Sequence, residues 1–448
     1  MIERDEIINR SEELAVHPYN VQRDYIFGWI INGIYSVSDL GKYIVLKGGN
    51  CFRKAYFDST RYSPDLDFAS NRELEQAFIT NELIRICQYI YTKTGVKFET
   101  DRTRVEQKKR IDPSRQGYEA RVYFKDFFGE TSEIIISIKL DISQFDKIFL
   151  PIQSRNLVHP YSDQGECLTL VKCLKLEEML AGKMKCLLQR RHSADLYDFV
   201  CATFLNPTIE INQIEIVDTF LKMTIFGTGP GIVKELFVNL PFQTFESLWE
   251  KYLIYPKGSG INFTAAVERL KTSINTMFGG LPILRGKVAF FPPELRNPIM
   301  EAGHTMTTLR VVYDGVEREV EPYSLKYKIP KSGNAREYFY VYDLTGGRSS
   351  GPGIKSFVHT GISRITNTSN KFEPRYEVEI SKAGQFGDEK FFHGRRRFHF
   401  LSKKNIANYT IECPICGKRF PRKTYSTRLN PHKDSYGNPC LGRTGYLV

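Results

Sequence analysis

The chain has 448 residues, of which 41% are hydrophobic and 25% charged, and a formal charge of +12. That length exceeds one ordinary domain and gives a prior of roughly three, and the composition excludes wholesale disorder. No apolar run is long enough to span a bilayer, and the N-terminal MIERDEIINR is charged, with no signal-peptide apolar segment, so a cytoplasmic protein with no membrane role is expected.

The charge is unevenly placed. Residues 381–448 hold fourteen Lys/Arg against four Asp/Glu, so +10 of the total lies in the tail. A polyanionic partner is expected to meet the chain there. The nine cysteines are an odd number. Cys51, Cys87, Cys167, Cys173 and Cys186 sit at apolar or mixed positions and read as reduced thiols.

In chain order, YIVLK reads as a buried strand and RELEQAFITNELIRICQYIYTKTG as an amphipathic helix. EARVYFKDF and SEIIISIKLDIS read as strands, LKLEEMLAGKMKCLLQRR and SADLYDFVCATFL as helices. A more helical stretch follows to about Arg285. FFPPELRNP reads as a linker, because Pro292 and Pro293 interrupt regular structure. TLRVVYDGVEREVEP, EYFYVYDL, SFVHTGISRI and RYEVEIS then read as short strands between Gly/Ser/Asn-rich turns, the spacing of a small β-barrel or sandwich. The last forty residues are polar and turn-rich and need a staple.

The sharpest signal is VLKGGNCFRKAYFDSTRYSPDLDF, from Val45 to Phe68. Asp65 and Asp67 are two apart and share one strand face. Carboxylates so placed repel unless a cation joins them, and Mg²⁺ takes one or two carboxylates plus phosphate oxygens. Gly48 and Gly49 lack Cβ, so the backbone there can approach a phosphate. Alone, the glycines read as a turn and Asp-Leu-Asp as a solvated strand end. In this order, after a strand, they point to a phosphate cradle beside a Mg²⁺ site, the needs of nucleotidyl transfer. Leu176, Leu180, Met184 and Leu187 form the apolar stripe of the next helix but one, with Lys183 and Arg190 on a shared face away from it. Asp195 and Asp198, three apart, share a helix face and read as cap or salt-bridge residues. Asp141 lies inside a strong strand, either paired with Lys139 or at a solvated strand end.

LKGGNCFRKAY and RYSPDLDF, followed by EEMLAGKMKCLLQRR and SADLYDF, resemble the four ordered motifs of the AbiEii/AbiGii-type nucleotidyltransferase toxins, within the polymerase-β-like superfamily. The resemblance implies that Gly48, Gly49, Asn50 and Arg53 meet the nucleotide, with Lys183 and Arg190 on its phosphates. It implies catalytic roles for Ser63, Asp65, Asp67, Lys183, Asp195 and Asp198, and a third carboxylate at Asp141. Asn50 stands where the family has Thr or Ser, and Ala194 where it has Arg.

The β-rich stretch, through VEPYSL, Tyr338–Tyr340 and FVHTGISRI, resembles a WYL domain, an Sm-like small barrel. Such domains are nucleic-acid or nucleotide-ligand modules. Arg336, Lys355 and Arg364 lie among aromatics that suit base stacking; the other reading is a barrel core with solvated charges. At the C-terminus, CPICGKRF supplies Cys413 and Cys416, and His432 and Cys440 follow at loop-closing distance. This Cys₃His set reads as a structural Zn²⁺ site, similar to zinc-ribbon-like modules, that supplies the folding energy the segment lacks. HGRRRFHF and GKRFPRK beside it interleave basic and aromatic residues, as nucleic-acid surfaces do.

The expected fold class is a multidomain α+β chain. It has a nucleotidyltransferase core at 1–205, a helical lobe at 206–290, a WYL-like barrel at 300–385 and a zinc module at 405–448. The expected activity is Mg²⁺-dependent transfer of a nucleotide from an NTP to RNA, with the tRNA 3′ end as the family-implied acceptor and a cognate antitoxin as a partner. A protein or small-molecule acceptor, or a ligand-sensing regulator with a degenerate transferase fold, are the other readings open to the residues.

Overall fold

The structure, a computed structural model, describes residues 2–112, 116–126, 135–206, 209–281, 289–328, 336–381, 409–422, 426–434 and 438–447. The chain opens with helices α1 (Arg4–Leu14) and α2 (Pro18–Ser36), then strand β1 (Ile44–Lys47). A helical turn α3 (Gly48–Cys51) runs into a π-turn at Phe52–Tyr56. Next come β2 (Asp65–Ser70), α4 (Gln76–Thr94), β3 (Arg104–Gln107), β4 (Gly117–Lys125), β5 (Ile135–Ser143), β6 (Gln153–Asn156) and β7 (Leu170–Cys173). These strands form one seven-stranded sheet in the order β3-β4-β5-β2-β1-β7-β6. Strand β2 is antiparallel to β1 and parallel to β5.

Helices α5 (Leu176–Gln189), α6 (Ser193–Val200), α7 (Gln213–Met223), α8 (Ile232–Val238), α9 (Phe242–Tyr252) and α10 (Phe263–Phe278) follow. A single buried apolar cluster runs from Ile2 through Phe278. The expected transferase core and helical lobe therefore share one hydrophobic core, because Phe199, Phe220, Phe237 and Trp249 pack into the same cluster as the sheet.

FFPPELRNP is not a linker. Pro293 starts α11 (Pro293–Thr305), where a missing N–H costs nothing. Phe291 is fully buried, and Arg296 pairs with the buried Glu337 at 2.5 Å. The helix begins before the boundary expected at 300 and leads into β8 (Thr307–Tyr313), β9 (Val316–Lys328), β10 (Arg336–Asp343), β11 (Gly353–Phe357) and β12 (Ile362–Lys371). Their antiparallel order is β11-β10-β9-β8-β12. Edge strands β11 and β12 do not pair with each other among the described residues, so no closed barrel is seen there. SFVHTGISRI, expected as one strand, divides between β11 and β12 at a turn over His359–Gly361. RYEVEIS, also expected as a strand, contains no strand. Glu377 and Glu379 instead bond sideways to Lys109, Ser324 and Lys326.

The C-terminal strands are β13 (Tyr409–Glu412), β14 (Arg419–Arg422), β15 (His432–Lys433), β16 (Pro439–Cys440) and β17 (Tyr446–Leu447). Among the described residues, their buried apolar cluster holds only Ile411, Cys413, Leu429 and Cys440. HGRRRFHF lies outside the described residues.

Beneath the first sheet, Asp24 of α2 binds Arg53 Nε at 2.7 Å and Lys54 Nζ at 2.9 Å, all three nearly inaccessible to solvent. Tyr161 adds a hydroxyl at 2.9 Å. Burial pushes the Asp24 carboxyl up, but the two cations hold it well below the usual carboxylate range. Asp24→Asn would leave two buried cations without their counter-charge. It is expected to cost about 3–5 kcal/mol, read as a lower urea midpoint at unchanged slope.

Candidate active site

The register of three neighbouring strands builds the site. Lys47, Asp67 and Asp141 are direct partners across β1, β2 and β5, and Asp65 is level with Lys139. Side chains level on adjacent strands share a face, so Asp65, Asp67 and Asp141 converge. Their carboxylate oxygens lie within 4.8 Å of one another. Three like charges this close require compensation. Lys139 Nζ lies 3.9 Å from Asp65 and 3.5 Å from Asp141, and Lys108 Nζ lies 2.8 Å from Asp141 Oδ1. Of the two alternatives for Asp141, the structure shows the Lys139 pairing, not a solvated strand end.

The glycines admit these side chains. Gly48 has φ +74°, and a Cβ there would stand 2.1 Å from Asp67 Oδ2. A Cβ on Gly49 would stand 2.5 Å from Ser63 Oγ and 2.6 Å from an Arg61 nitrogen. Asn50 is buried and donates to the Asp65 carbonyl at 2.6 Å, tying α3 to the start of β2. Its side chain thus serves the strand backbone. The Ser63 hydroxyl has no hydrogen-bond partner among the described residues. Arg53, expected at the nucleotide, is engaged within the protein. Its Nε is on Asp24, its Nη1 donates to the Asp58 and Thr60 carbonyls at 3.0 and 2.7 Å, and its guanidinium covers the Tyr62 ring at 3.9 Å.

A second charged cluster lies beside the carboxylates. Lys183 Nζ binds Asp195 at 3.0 Å and Asp198 at 2.7 Å. Arg190 clasps Asp195 through Nε and Nη2 at 2.7 and 2.9 Å. Arg61 clasps Asp198 through the same two atoms at 2.6 and 2.8 Å. Burial works against every charge here. The Arg190 and Lys183 charges nevertheless hold Asp195 far below the usual carboxylate range, and Asp198 and Asp195 raise Lys183 above an ordinary lysine. Asp195 and Asp198 therefore hold Lys183 by ion pairs, the salt-bridge alternative for their spacing. Three cations face two carboxylates, which leaves one positive charge in excess beside the acidic trio. Sequence reasoning passed over Arg61, although it opens the motif RYSPDLDF. It passed over Lys108 too, which carries no local signal.

At the C-terminus the Sγ atoms of Cys413, Cys416 and Cys440 and a ring nitrogen of His432 lie within 4.8 Å of one another. Four donors on a tetrahedral zinc at about 2.3 Å are about 3.7 Å apart, and the Cys413–Cys440 sulfurs are separated by 3.6 Å. His432 Nδ1 lies 2.9 Å from the Asn430 carbonyl, which leaves Nε2 to face the thiols, 3.3 Å from Cys416. A Cβ on Gly442 would strike Cys413 Sγ at 2.3 Å. Burial opposes ionisation of Cys413, but backbone N–H groups of Cys416 and Ile415 bring its thiol down to about 7. The donor set and span fit the group the sequence implies.

Residues 29–226 match the model of the nucleotidyl transferase AbiEii toxin family of type IV toxin–antitoxin systems. The chain carries an AbiEii nucleotidyltransferase toxin domain. All four motif regions, the carboxylate trio and the Lys183 cluster fall inside this AbiEii domain. No curated protein matches the chain. Among solved structures it is similar to MenT4, a nucleotidyltransferase toxin from Mycobacterium tuberculosis, at 15% identity and a TM-score of 0.38, over 62% of this chain and 88% of that one. It is also similar to a protein from H. pylori described as a nucleotidyltransferase, at 16% identity and a TM-score of 0.36, over 58% and 95% of the two chains. No helix among the described residues is long and apolar enough to cross a membrane.

His192 gives this domain a pH signature. It caps α6 by accepting the Ala194 N–H at 3.0 Å on Nδ1. Burial draws its pKa down to about 3, opposed by Asp195 and assisted by Arg190, Arg61 and Lys183. The unfolded chain binds the proton near pH 6.5, so the unfolded state holds more protons below that value. Stability from neutral His192 is thus complete above about pH 6.5 and lost as pH falls toward 3. His192→Asn keeps a capping acceptor and removes the titration. Urea-unfolding free energies of this variant are expected to fall less steeply than wild type over that window.

Proposed function

We propose that the AbiEii domain transfers a nucleotide from an NTP to the 3′ end of an RNA, with tRNA the expected acceptor. The observation that carries the reading is the convergence of Asp65, Asp67 and Asp141 within 4.8 Å, next to a cation cluster with one charge in excess. The RNA 3′ hydroxyl attacks the α-phosphorus, an O–P bond forms, pyrophosphate leaves, and a carboxylate of the trio takes the hydroxyl proton. Asp65, Asp67 and Asp141 would hold the Mg²⁺, whose chemistry there is to offset the charge of the phosphate oxygens.

The chain's own groups then bind and orient the triphosphate. Gly49 and Asn50 lie in a first helical turn, where backbone N–H groups lack intrahelical acceptors. The Ser63 hydroxyl stands beside them. Lys183 spends two of its three N–H donors on Asp195 and Asp198, and Arg190 keeps Nη1 clear of Asp195. Those remaining donors would meet the phosphates. The RNA acceptor is supported by the +10 charge of residues 381–448, and the family's type IV toxin–antitoxin label supports a cognate antitoxin as partner. The second sheet would act as the WYL-like recognition unit.

Incubation with each labelled NTP and total RNA should label RNA in the presence of Mg²⁺. Asp67→Asn is expected to abolish labelling while leaving the melting temperature near wild type. Retained turnover in that variant would reject the site.

Cys413, Cys416, His432 and Cys440 would hold one structural Zn²⁺. Elemental analysis of the full chain should give about one zinc per chain. Cys416→Ala should lose that zinc and the protease resistance of the C-terminal strands, yet retain nucleotide binding. A zinc-free wild type with an ordered C-terminus would overturn the assignment.

A further inference from the structure

Lys108 lies just beyond β3, and its ammonium sits between two carboxylates from distant parts of the chain. Asp141 Oδ1 is 2.8 Å away, with both side chains 8% exposed. Glu377 Oε1 is 3.6 Å away on the other side. Glu377 belongs to the segment that follows the second sheet, and several contacts fix that segment to residues 108–112. The Glu377 N–H donates to the Lys109 carbonyl at 2.8 Å, and Glu377 Oε2 meets Arg110 Nε at 3.3 Å. Asp112 meets Lys326 and Lys328 of β9 at 3.9 and 3.2 Å, and Lys326 meets Glu379 at 2.9 Å. The second sheet unit thus grips the segment whose first residue ends on the third active-site carboxylate.

We propose that Lys108 and Glu377 are positioning residues for Asp141, and that through them the second sheet unit sets how tightly the carboxylate trio binds a divalent ion. The proposal rests on the nucleotidyl-transfer reading of that trio. With no ion bound, Lys108 and Lys139 offset two of its three negative charges. A divalent ion needs the Asp141 oxygen that Lys108 faces, and it repels an ammonium a few ångströms away. Lys108 is a point charge on a flexible stem, and a buried charge must keep a partner. Glu377, already within reach, supplies one. Ion binding draws Lys108 from Asp141 to Glu377. A change in the second unit that moves Glu377 alters the balance. A purely structural Lys108–Asp141 pair would have no need of a second carboxylate beside the lysine.

The test uses the full chain and Mn²⁺ as the probe, with free Mn²⁺ read by electron paramagnetic resonance in the absence of nucleotide. Lys108→Met removes the competitor and is expected to tighten Mn²⁺ binding roughly three- to tenfold. Glu377→Gln removes the alternative partner and is expected to weaken it by a similar factor. The double variant should match Lys108→Met, because Glu377 acts only through the lysine. Lys108→Gln replaces Lys108→Met if the latter does not melt cooperatively. If either single variant leaves Mn²⁺ affinity unchanged or moves it the opposite way, while Asp67→Asn abolishes binding, the positioning role is wrong and the metal site stands. If Asp67→Asn also leaves Mn²⁺ binding intact, the carboxylate site itself is wrong, and this inference falls with it.

Discussion

Three carboxylates held within 4.8 Å on adjacent strands are the constraint around which this molecule is arranged. Left alone they would repel one another and favour opening of the β2–β5 pairing. The fold answers with ammonium groups at both ends, Lys139 on the same face of β5 and Lys108 from beyond β3. It answers with space as well. Only a residue without Cβ at position 48 lets the Asp67 carboxylate lie against the turn after β1. Glycine, strand register and lysine placement are thus three solutions to one electrostatic problem.

The family motifs in this chain encode ion pairs as much as ligand contacts. Arg53 and Lys54 close on Asp24, Arg61 on Asp198, and Lys183 on both Asp195 and Asp198. Each is buried, so each would cost stability if its partner were removed. Such pairs fix geometry more than they add net stability. Arg61 joins the loop before β2 to α6, and Lys183 joins α5 to α6, so both helices stand in a fixed relation to the carboxylate strands. Without the family resemblance, a lysine at position 183 on an amphipathic helix reads as a solvated surface residue. Its exposure of only 8%, against two carboxylates, excludes that reading.

The later parts of the chain are held by different physics. The second sheet has its own core around Phe291, Phe339, Val341 and Phe357, so it folds by apolar burial. It meets the first unit through charges, with Asp112, Lys326, Glu377 and Glu379 at the boundary, and through apolar packing of Tyr327 on Phe226 and of Ile111 in the second core. The C-terminal strands bury too few apolar side chains to be stabilised that way, and their four soft donors converge instead.

The sequence by itself determined what is local. The Asp-Leu-Asp spacing put two carboxylates on one strand face, and the Cys-Pro-Ile-Cys knuckle put two thiols together, because these depend only on the period of a strand or the reach of a turn. The four ordered motifs identified the domain. Tertiary structure decided what depends on register and long-range contact. Asp141 became the third member of the trio because β5 pairs parallel to β2 with Asp141 level with Asp67. Arg53 is drawn inward because α2 presents a buried Asp24 that no local pattern announces. From Pro293, FFPPELRNP enters a helix because Phe291 and Arg296 find a core and a buried glutamate, and a proline suits a helix start. Lys108 came to rest between Asp141 and Glu377, partners 33 and 269 residues further along the chain. A sequence carries no signal for a contact whose two sides meet only after both sheets have formed.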